Sequence, residues 1–540
     1  MIKKIIFILL ISFIICDLTS FDFLKVDGVQ IRNNYGKGNC LFLRGTNIGN
    51  LFVQESWMSS TNVKDQKTLM DIFYKKYGES KMNTLLDYYE NNYFISSDFD
   101  NIKEMGMSVI RIPFTYMNLL EYNSFELKSN AFDKLDYIIS EFNKRNIYVI
   151  LDLHGAVGSQ NGQDHSGELI DNIEDVTFYS NPEYKQKTIE IWKQIAMHYK
   201  DNPTVAAYDI LNEPAEKAGF TIEKHWDYFN EIYQAIRSID SEHIIIIESC
   251  WAPVNLPNPN KYNWSNIIYE YHHYPWDFEH DASGQILSAK SLISYIKLEN
   301  YNVPTYIGEF NYFGEEEGWR TILNLFNEEG YHYTSWSYKS NNMGNWGIFD
   351  QKKIDKIDPE LDDLIKIKEV WSNDYIGTGN KSNNGMVYNS LKDNLPGNIV
   401  PAQDFSDKDY FAFKFLKNNK YVSADCYGMN NLIANRDEKG LWEHFRKIDN
   451  LNDGTVSFQS RSNNMYLTVI LEEDNYVIKA KSNIINDEEK FYLEKKGNNI
   501  WAMRSKINNK YVQVDLDNNN ILHVKSDSIG AWEEFTIENV

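Results

Sequence analysis

The sequence predicts an α/β fold, a (β/α)₈ TIM barrel followed by a smaller all-β trefoil domain. Two stretches carry the first half of that reading. VAAYDILNEP (Val205–Pro214) opens as a short apolar run with a β-branched start, the mark of a buried strand, and ends in Asn212, Glu213 and Pro214. PTYIGEF (Pro304–Phe310) has the same form and leads into Glu309. A carboxylate at the C-terminal tip of a buried parallel strand is where such a barrel keeps its reactive groups. The second half rests on a short motif that recurs at even spacing near the C-terminus, the sign of a repeated all-β unit.

Taken in order, the chain opens on Lys3 and Lys4, an apolar run from Ile5 to Cys16, and the polar Asp17–Ser20. That run is too short to span a bilayer of about 30 Å. Residues 1–20 therefore read as a secretory signal, and the mature protein as secreted, extracellular and without stable membrane insertion. Strand candidates follow at Cys40–Arg44, Ser108–Pro113, Tyr148–His154, Val205–Glu213, Ile244–Glu248, Ile267–His273, Thr305–Glu309 and Thr334–Tyr338. Three helical stripes stand among them. Phe132, Leu135, Ile138, Ile139 and Phe142 form the first. Ile189, Trp192, Ile195 and Tyr199 form the second, after an Asn181-Pro182 cap, and Trp226, Phe229, Tyr233 and Ile236 the third. All three stripes read as core packing. Strand–helix alternation repeated in this way closes a barrel over residues 21–371.

From 372 to 407 the pattern lapses into Asn, Gly, Ser and Asp, which reads as a linker. In the final domain, 408–540, Asn-Asn-Lys-Tyr at Asn418–Tyr421 returns as Asn463–Tyr466 and Asn508–Tyr511. Phe445, Phe491 and Phe535 recur near the end of each unit, and Trp442 and Trp532 precede two of them. Three all-β units of this length predict a threefold trefoil, with the Asn-Asn pairs in hairpin turns. The domain resembles the fascin-like β-trefoils and lacks the QxW repeats of the ricin-type ones.

Composition narrows the partners. With 54 Lys and Arg against 77 Asp and Glu, the net charge is −23, which excludes nucleic acid and anionic membranes. The aromatic share of 14% fills cores first, but rings are also what stack on sugar faces. Without Cys16, Cys40, Cys250 and Cys426 remain, an odd number that leaves at least one thiol unpaired. The 11 histidines show no paired-ligand spacing, so neither metal nor cofactor is expected. Oligomeric state is not encoded in any of these features.

Facing carboxylates at barrel strand ends are the equipment of glycoside hydrolysis. A retaining enzyme needs one carboxylic acid to protonate the leaving oxygen and one carboxylate to attack the anomeric carbon. Their pKa values must be driven apart by their surroundings. Glu213 suits the acid/base, because the amide of Asn212 can bind the neighbouring sugar hydroxyl. Glu309 suits the nucleophile, with Arg111 (in VIRIPF) and Tyr274 (in YHHYPW) as donors that keep it ionised. Each signal alone is weak, and their joint placement at separate strand ends is what gives them weight.

Over roughly residues 35–350 the sequence resembles glycoside hydrolase family 5, a retaining (β/α)₈ group. The resemblance is carried by RIPF with Arg111, DLHG with His154, LNEP with Asn212 and Glu213, HHY with His272 and Tyr274, IGEF with Glu309, and SWSYK with Trp336. It implies an arginine beside the nucleophile, two subsite histidines, the asparagine and acid/base, the tyrosine, the nucleophile and a tryptophan platform under the −1 sugar. The run DLHGAVGSQNGQDHSG (Asp152–Gly167) is similar to the exo-β-1,3-glucanase branch. So is LRGTNIGNLFVQESW, whose Glu55 matches a pocket glutamate that closes the −1 site. Two positions depart from that branch. Gln163 stands where an aromatic clamps the +1 sugar, and Gly49-Asn50-Leu51 lacks a common tryptophan. The expected function is a β-glucan hydrolase acting on poly- or oligosaccharide and releasing glucose. The alternatives are another family 5 β-glycosidase, and a carbohydrate-binding or adhesion protein on a dead barrel. The intact pair of glutamates argues against the last.

Overall fold

The computed structural model describes residues 17–215, 220–353, 355–395, 406–450, 453–472 and 474–540. The apolar run read as a signal lies outside the described residues. The chain divides into two compact units after residue 397. No helix among the described residues is long and apolar enough to cross a membrane.

The first unit is a closed barrel of eight parallel strands: β1 (Arg44–Asn47), β2 (Val109–Thr115), β3 (Tyr148–Gly155), β4 (Val205–Asp209), β5 (Ile244–Glu248), β6 (Ile267–His273), β7 (Thr305–Phe310) and β8 (His332–Ser335). The three sequence stripes lie on the helices Asp133–Asn143, Pro182–Tyr199 and Ile222–Arg237, and bury Leu135, Trp192 and Phe229 among others. The middle helix starts as its sequence requires: the Asn181 side chain accepts the Glu183 amide at 3.0 Å, and Pro182 holds the first turn.

Period-2 alternation sorts the barrel strands into two cores. Val109, Ile150, Ala207, Ile246 and Ile268 point inward and pack with Leu24 and Ile31 at the barrel bottom. Their neighbours Ile110, Leu151, Tyr208, Ile247 and Tyr269 join the larger core under the helices. Two residues further along each inward file stand Arg111, Asp152, Asp209, Glu248 and Glu270, all buried. Each inward file thus changes from apolar to ionisable as it climbs, and the charges collect at the C-terminal mouth.

Three strands depart from the sequence reading: the fourth ends at Asp209 and not at Glu213, the eighth runs His332–Ser335 and not Thr334–Tyr338, and the first is displaced, while the seventh is found where expected but bulged. Cys40–Leu41 is not a barrel strand. It pairs antiparallel with Gln30–Arg32 in a small sheet whose Ile31 plugs the barrel bottom, and the barrel strand begins only at Arg44. In β7 the register shifts between Ile307 and Glu309. Ile307 faces the helices and Phe310 does too, so the bulge at Gly308 is what turns Glu309 to the mouth. A Cβ at Gly308 would lie 1.5 Å from Glu270 Oε1, so only glycine fits there.

Part of the segment read as a linker folds with the barrel. Asn373–Ile376 and Met386–Lys392 are helical, and Ile376, Val387, Leu391 and Leu395 are buried in the larger barrel core. The Asn- and Ser-rich composition masks these few apolar residues. Residues 396–405 of the segment lie outside the described residues.

The second unit is all-β, with twelve strands among the described residues from Phe411–Phe415 to Phe535–Asn539. The repeated Asn pairs have a structural cause. Asn418, Asn463 and Asn508 each accept the amide two residues on and donate to the carbonyls of Ala434, Ala480 and Val524. The second asparagine of each pair, Asn419, Asn464 or Asn509, has positive φ, which asparagine tolerates best among side-chain residues. Buried Glu443, Glu489 and Glu533 accept the amides of Gly440, Asn486 and Gly530 just before Phe445, Phe491 and Phe535.

This arrangement sets where the barrel unit can be cut. A chain ended at Asn380 loses Val387, Leu391 and Leu395 from the core and is expected to be insoluble or unfolded, whereas one ended at Leu395 is expected to keep the barrel. Leu391→Ala in the full chain should cost about 2–5 kcal/mol, read from denaturant unfolding of the barrel unit.

Candidate active site

Arg111 on β2 is the hub of the mouth. Its side chain is wholly buried and donates to Asp209 Oδ2 (2.8 Å), Asn47 Oδ1 (3.1 Å), Asn212 Oδ1 (2.8 Å) and Glu309 Oε1 (2.9 Å), with Asp152 Oδ2 at 3.1 Å. Burial alone would weaken its charge, but Asp152, Asp209, Glu270 and Glu309 outweigh burial and hold it charged. Burial in turn pushes Asp152 and Asp209 well above the usual carboxylate range.

Glu309 is held at both oxygens, by Arg111 at Oε1 and by the Tyr274 hydroxyl at Oε2 (2.8 Å). Glu213, just beyond β4, has φ of 41°, in the left-handed region, and its amide donates to Glu248 Oε2 at 2.6 Å. Its carboxylate meets two imidazoles: His272 Nδ1 at 2.7 Å from Oε1 and His165 Nε2 at 3.0 Å from Oε2. Burial would raise Glu213, but the two imidazoles outweigh it and hold the carboxyl well below its usual range. His272 also faces Glu309 Oε2 at 3.7 Å and Glu248 Oε1 at 3.5 Å. Burial disfavours its charge, but Glu248, Glu309, Glu213 and Glu270 keep it protonated well above neutrality. One carboxylate oxygen of Glu213, one of Glu309 and a His272 nitrogen all lie within 4.8 Å of one another. Imidazolium–carboxylate pairing accounts for that closeness.

These groups open on a cavity of about 500 Å³. Trp336 forms part of its wall and stacks on His154 at 5.4 Å, the two rings nearly parallel at 10°. His154 donates to or accepts from Asp152 Oδ2 through Nδ1 at 2.7 Å, and burial holds its ring neutral. Gly49 lies against this tryptophan, for a Cβ there would come within 2.9 Å of Trp336 Cζ2. Glu55 lines the cavity, 4% exposed, and receives Trp57 Nε1–H at 2.8 Å. Burial, only partly countered by His165, pushes its carboxyl up to about 8. Trp57, Trp346, Trp276 and Tyr274 make a continuous aromatic side, with ring centroids 4.9, 5.6 and 5.4 Å apart in turn. Gln163 and Trp276 both line the cavity.

The structure thus brings together Glu55, Arg111, His154, Asn212, Glu213, His272, Tyr274, Glu309 and Trp336. Sequence reasoning missed Asn47, Asp152, Asp209, Glu248 and Glu270 on the strands, and His165, Trp57, Trp251 and Trp346 beyond them. Asp152, Asp209, Glu248 and Glu270 were legible, because they continue inward files begun by Ile150, Ala207, Ile246 and Ile268. The last four sit on loops, where no periodicity marks them.

A closed parallel barrel with two buried glutamates facing one another at its C-terminal mouth has the equipment of a glycoside hydrolase. The model of the cellulase family, glycosyl hydrolase family 5, matches residues 70–342, and the chain belongs to that family. A β-xylosidase of Phanerodontia chrysosporium is 26% identical over 59% of this chain and 71% of its own length. A probable glucan 1,3-β-glucosidase A of Aspergillus fumigatus is 25% identical over 50% of this chain and 65% of its own length. A solved rutinosidase from Aspergillus niger is 16% identical with a TM-score of 0.46, covering 59% of this chain and 93% of its own.

Two outcomes follow from this geometry. Gly308→Ala should displace Glu270 and with it the Arg111–Glu309 contact, lowering glycoside hydrolysis by about 10²-fold. Gly314→Ala, whose Cβ meets only Asn345 Nδ2 at 3.3 Å, is expected to be tolerated. The second concerns Glu55. Folded, it keeps its proton up to about 8; unfolded, it loses it near the ordinary 4.5. The folded state binds the extra proton between those values, so its stability falls as pH rises through that window. Glu55→Gln should flatten this slope, seen as a smaller drop in Tm between about pH 5 and about pH 8 than in the parent.

Proposed function

We propose that this chain is a secreted retaining β-glucosidase acting on β-glucan, an exo-β-1,3-glucanase that releases glucose from chain ends. The observation that carries the retaining part of the reading is the approach of one Glu213 and one Glu309 carboxylate oxygen to within 4.8 Å. Retaining enzymes hold the two groups about 5–5.5 Å apart, while inverting ones leave room for a water between them. In this reading Glu309, oriented by Arg111 and Tyr274, attacks the anomeric carbon. The C–O bond breaks, and Glu213 gives its proton to the leaving oxygen. Water then attacks the glycosyl–Glu309 ester, giving its proton to Glu213 and restoring the β configuration.

Other groups have roles that fit the same scheme. The Nδ2 of Asn212 is buried and has no protein partner among the described residues, as suits a donor for a sugar hydroxyl beside the reacting carbon. Trp336 is the platform for the −1 sugar, and Glu55 with Trp57 closes the pocket beyond it, which favours entry by chain ends. Trp276 and Trp251, 56% and 65% exposed on the cavity, offer faces for a +1 sugar in place of the aromatic that Gln163 lacks. The 26% identity to a β-xylosidase supports a second reading, a family 5 enzyme for another β-glycoside. The C-terminal unit is read as a fascin-like β-trefoil that binds carbohydrate.

Laminarin, cellulose, pustulan and aryl xylosides, each followed to product, separate these readings; glucose from laminarin alone is the expected result. NMR should show the β-anomer first, and immediate α-anomer would exclude retention. Glu213→Ala should lose about 10²–10⁴-fold on a poor leaving group and far less on a dinitrophenyl glucoside. Glu309→Gln should lose both activities.

A further inference from the structure

His165 stands on the loop after β3, and its place there is built. Gly155 leaves room for Ser166, whose carbonyl oxygen would lie 2.1 Å from a Cβ at 155. Ser56 pins the loop from the other side, donating its amide and hydroxyl to Asp164 Oδ2 at 3.2 and 2.9 Å. The His165 Nε2 so placed lies 3.0 Å from Glu213 Oε2 and 2.8 Å from Asn161 Nδ2. The amide of Asn161 cannot be reversed without loss. Its Oδ1 accepts the Gln163 amide at 2.9 Å, and its Nδ2 also donates to the Glu213 carbonyl at 3.1 Å. Nε2 therefore faces one acceptor and one donor. Protonated, it donates to Glu213; deprotonated, it accepts from Asn161.

We propose that His165 and Glu213 exchange a single proton across this contact, which makes His165 the proton-positioning residue that readies Glu213 for its acid step. The proposal rests on the reading of Glu213 as the acid/base. An ionised Glu213 with an imidazole on each oxygen cannot protonate a leaving group. The proton passes from Nε2 to Oε2, the freed nitrogen takes the Asn161 N–H, and Glu213 then gives its proton to the leaving oxygen. In the second half-reaction Glu213 takes a proton from the attacking water and returns it to His165, so the cycle closes without another reactant.

His272 is the weaker candidate for this exchange. Among the described residues its Nδ1 faces only carboxylate oxygens, those of Glu213, Glu248 and Glu309, and none of these offers a deprotonated nitrogen a donor when ionised. His165 lines the cavity, and the other charged or titratable groups facing it are Glu55, Asp164, Glu309 and His154. Burial works against its charge, but Glu213, Glu55 and Glu309 outweigh burial and raise it to about 9. The pair thus retains its proton well above neutrality.

The test is the pH profile of kcat/KM on two substrates, a phenyl glucoside that needs acid assistance and a dinitrophenyl glucoside that does not. His165→Gln keeps a donor to Glu213 but no titrating proton. It should move the alkaline limb on the phenyl glucoside down by about one pH unit or more, leaving the dinitrophenyl profile in place. Asn161→Asp, which favours the imidazolium, should move the same limb upward and lower kcat on the phenyl glucoside. If both limbs stay put while rates fall evenly on the two substrates, His165 only shapes the pocket and the proposal is overturned. Should His165→Gln fail to fold, the direction of the Asn161→Asp limb decides. A Glu213→Ala variant that loses equally on both substrates would instead remove the acid/base reading itself, and is told apart in the same assay.

Discussion

A guanidinium with no access to water is the constraint on which the rest of this barrel depends. Taking Arg111 out of solvent costs several kcal/mol by itself, and only oriented opposite charge compensates it. The compensation comes from strand ends that are remote in sequence: Asn47, Asp152, Asp209 and Glu309, with Asn212 just beyond β4. The five donors of a planar fork make this possible; a lysine ammonium could not reach the same partners in one plane. The cost of the buried charge thereby fixes the mutual position of five segments, and the two glutamates are set by those segments.

The second layer of the mouth is a matter of proton placement. More carboxylates are buried there than the cations can balance, so burial keeps Asp152, Asp209 and Glu248 well above the usual range, and Glu55 at about 8. Glu213 stands apart because two imidazoles converge on it. Its carboxyl and theirs share protons as one titrating unit. The contrast between Glu213, held low, and Glu248, pushed up by burial, arises from neighbours, since the residue type is the same.

Much of this was legible in the sequence, for reasons that can be named. The middle strands announce themselves because a strand buried on both faces is largely apolar, whereas Arg44–Asn47 and His332–Ser335 are mostly polar and were misplaced or offset in the sequence reading. Arg111, Asp152, Asp209 and Glu270 lie on files begun by Val109, Ile150, Ala207 and Ile268. Loop residues have no such phase, so His165, Trp57 and Trp346 were invisible until the chain was folded. The segment after residue 372 misled through composition: a handful of apolar side chains among many asparagines is enough to dock two short helices. The Asn-Asn repeat was read correctly as turns, and its regularity is explained by a side-chain bond to a distant carbonyl, made three times over.

The bulge at Gly308 has a consequence for how such a strand can vary. In a regular strand, facing is a parity: odd positions look one way and even positions the other, and a residue cannot cross except by a slip of the whole strand. Here a single glycine resets the parity for the last two residues only, so the Glu309 carboxylate and the Phe310 ring can exchange sides while Tyr306 and Ile307 keep theirs. The barrel's rigid lower lattice and its reactive rim are therefore separable in register. Below Gly308 both faces answer to packing; above it the inward face answers to chemistry while Phe310 still packs under the helices, and the boundary between the two regimes is one peptide wide.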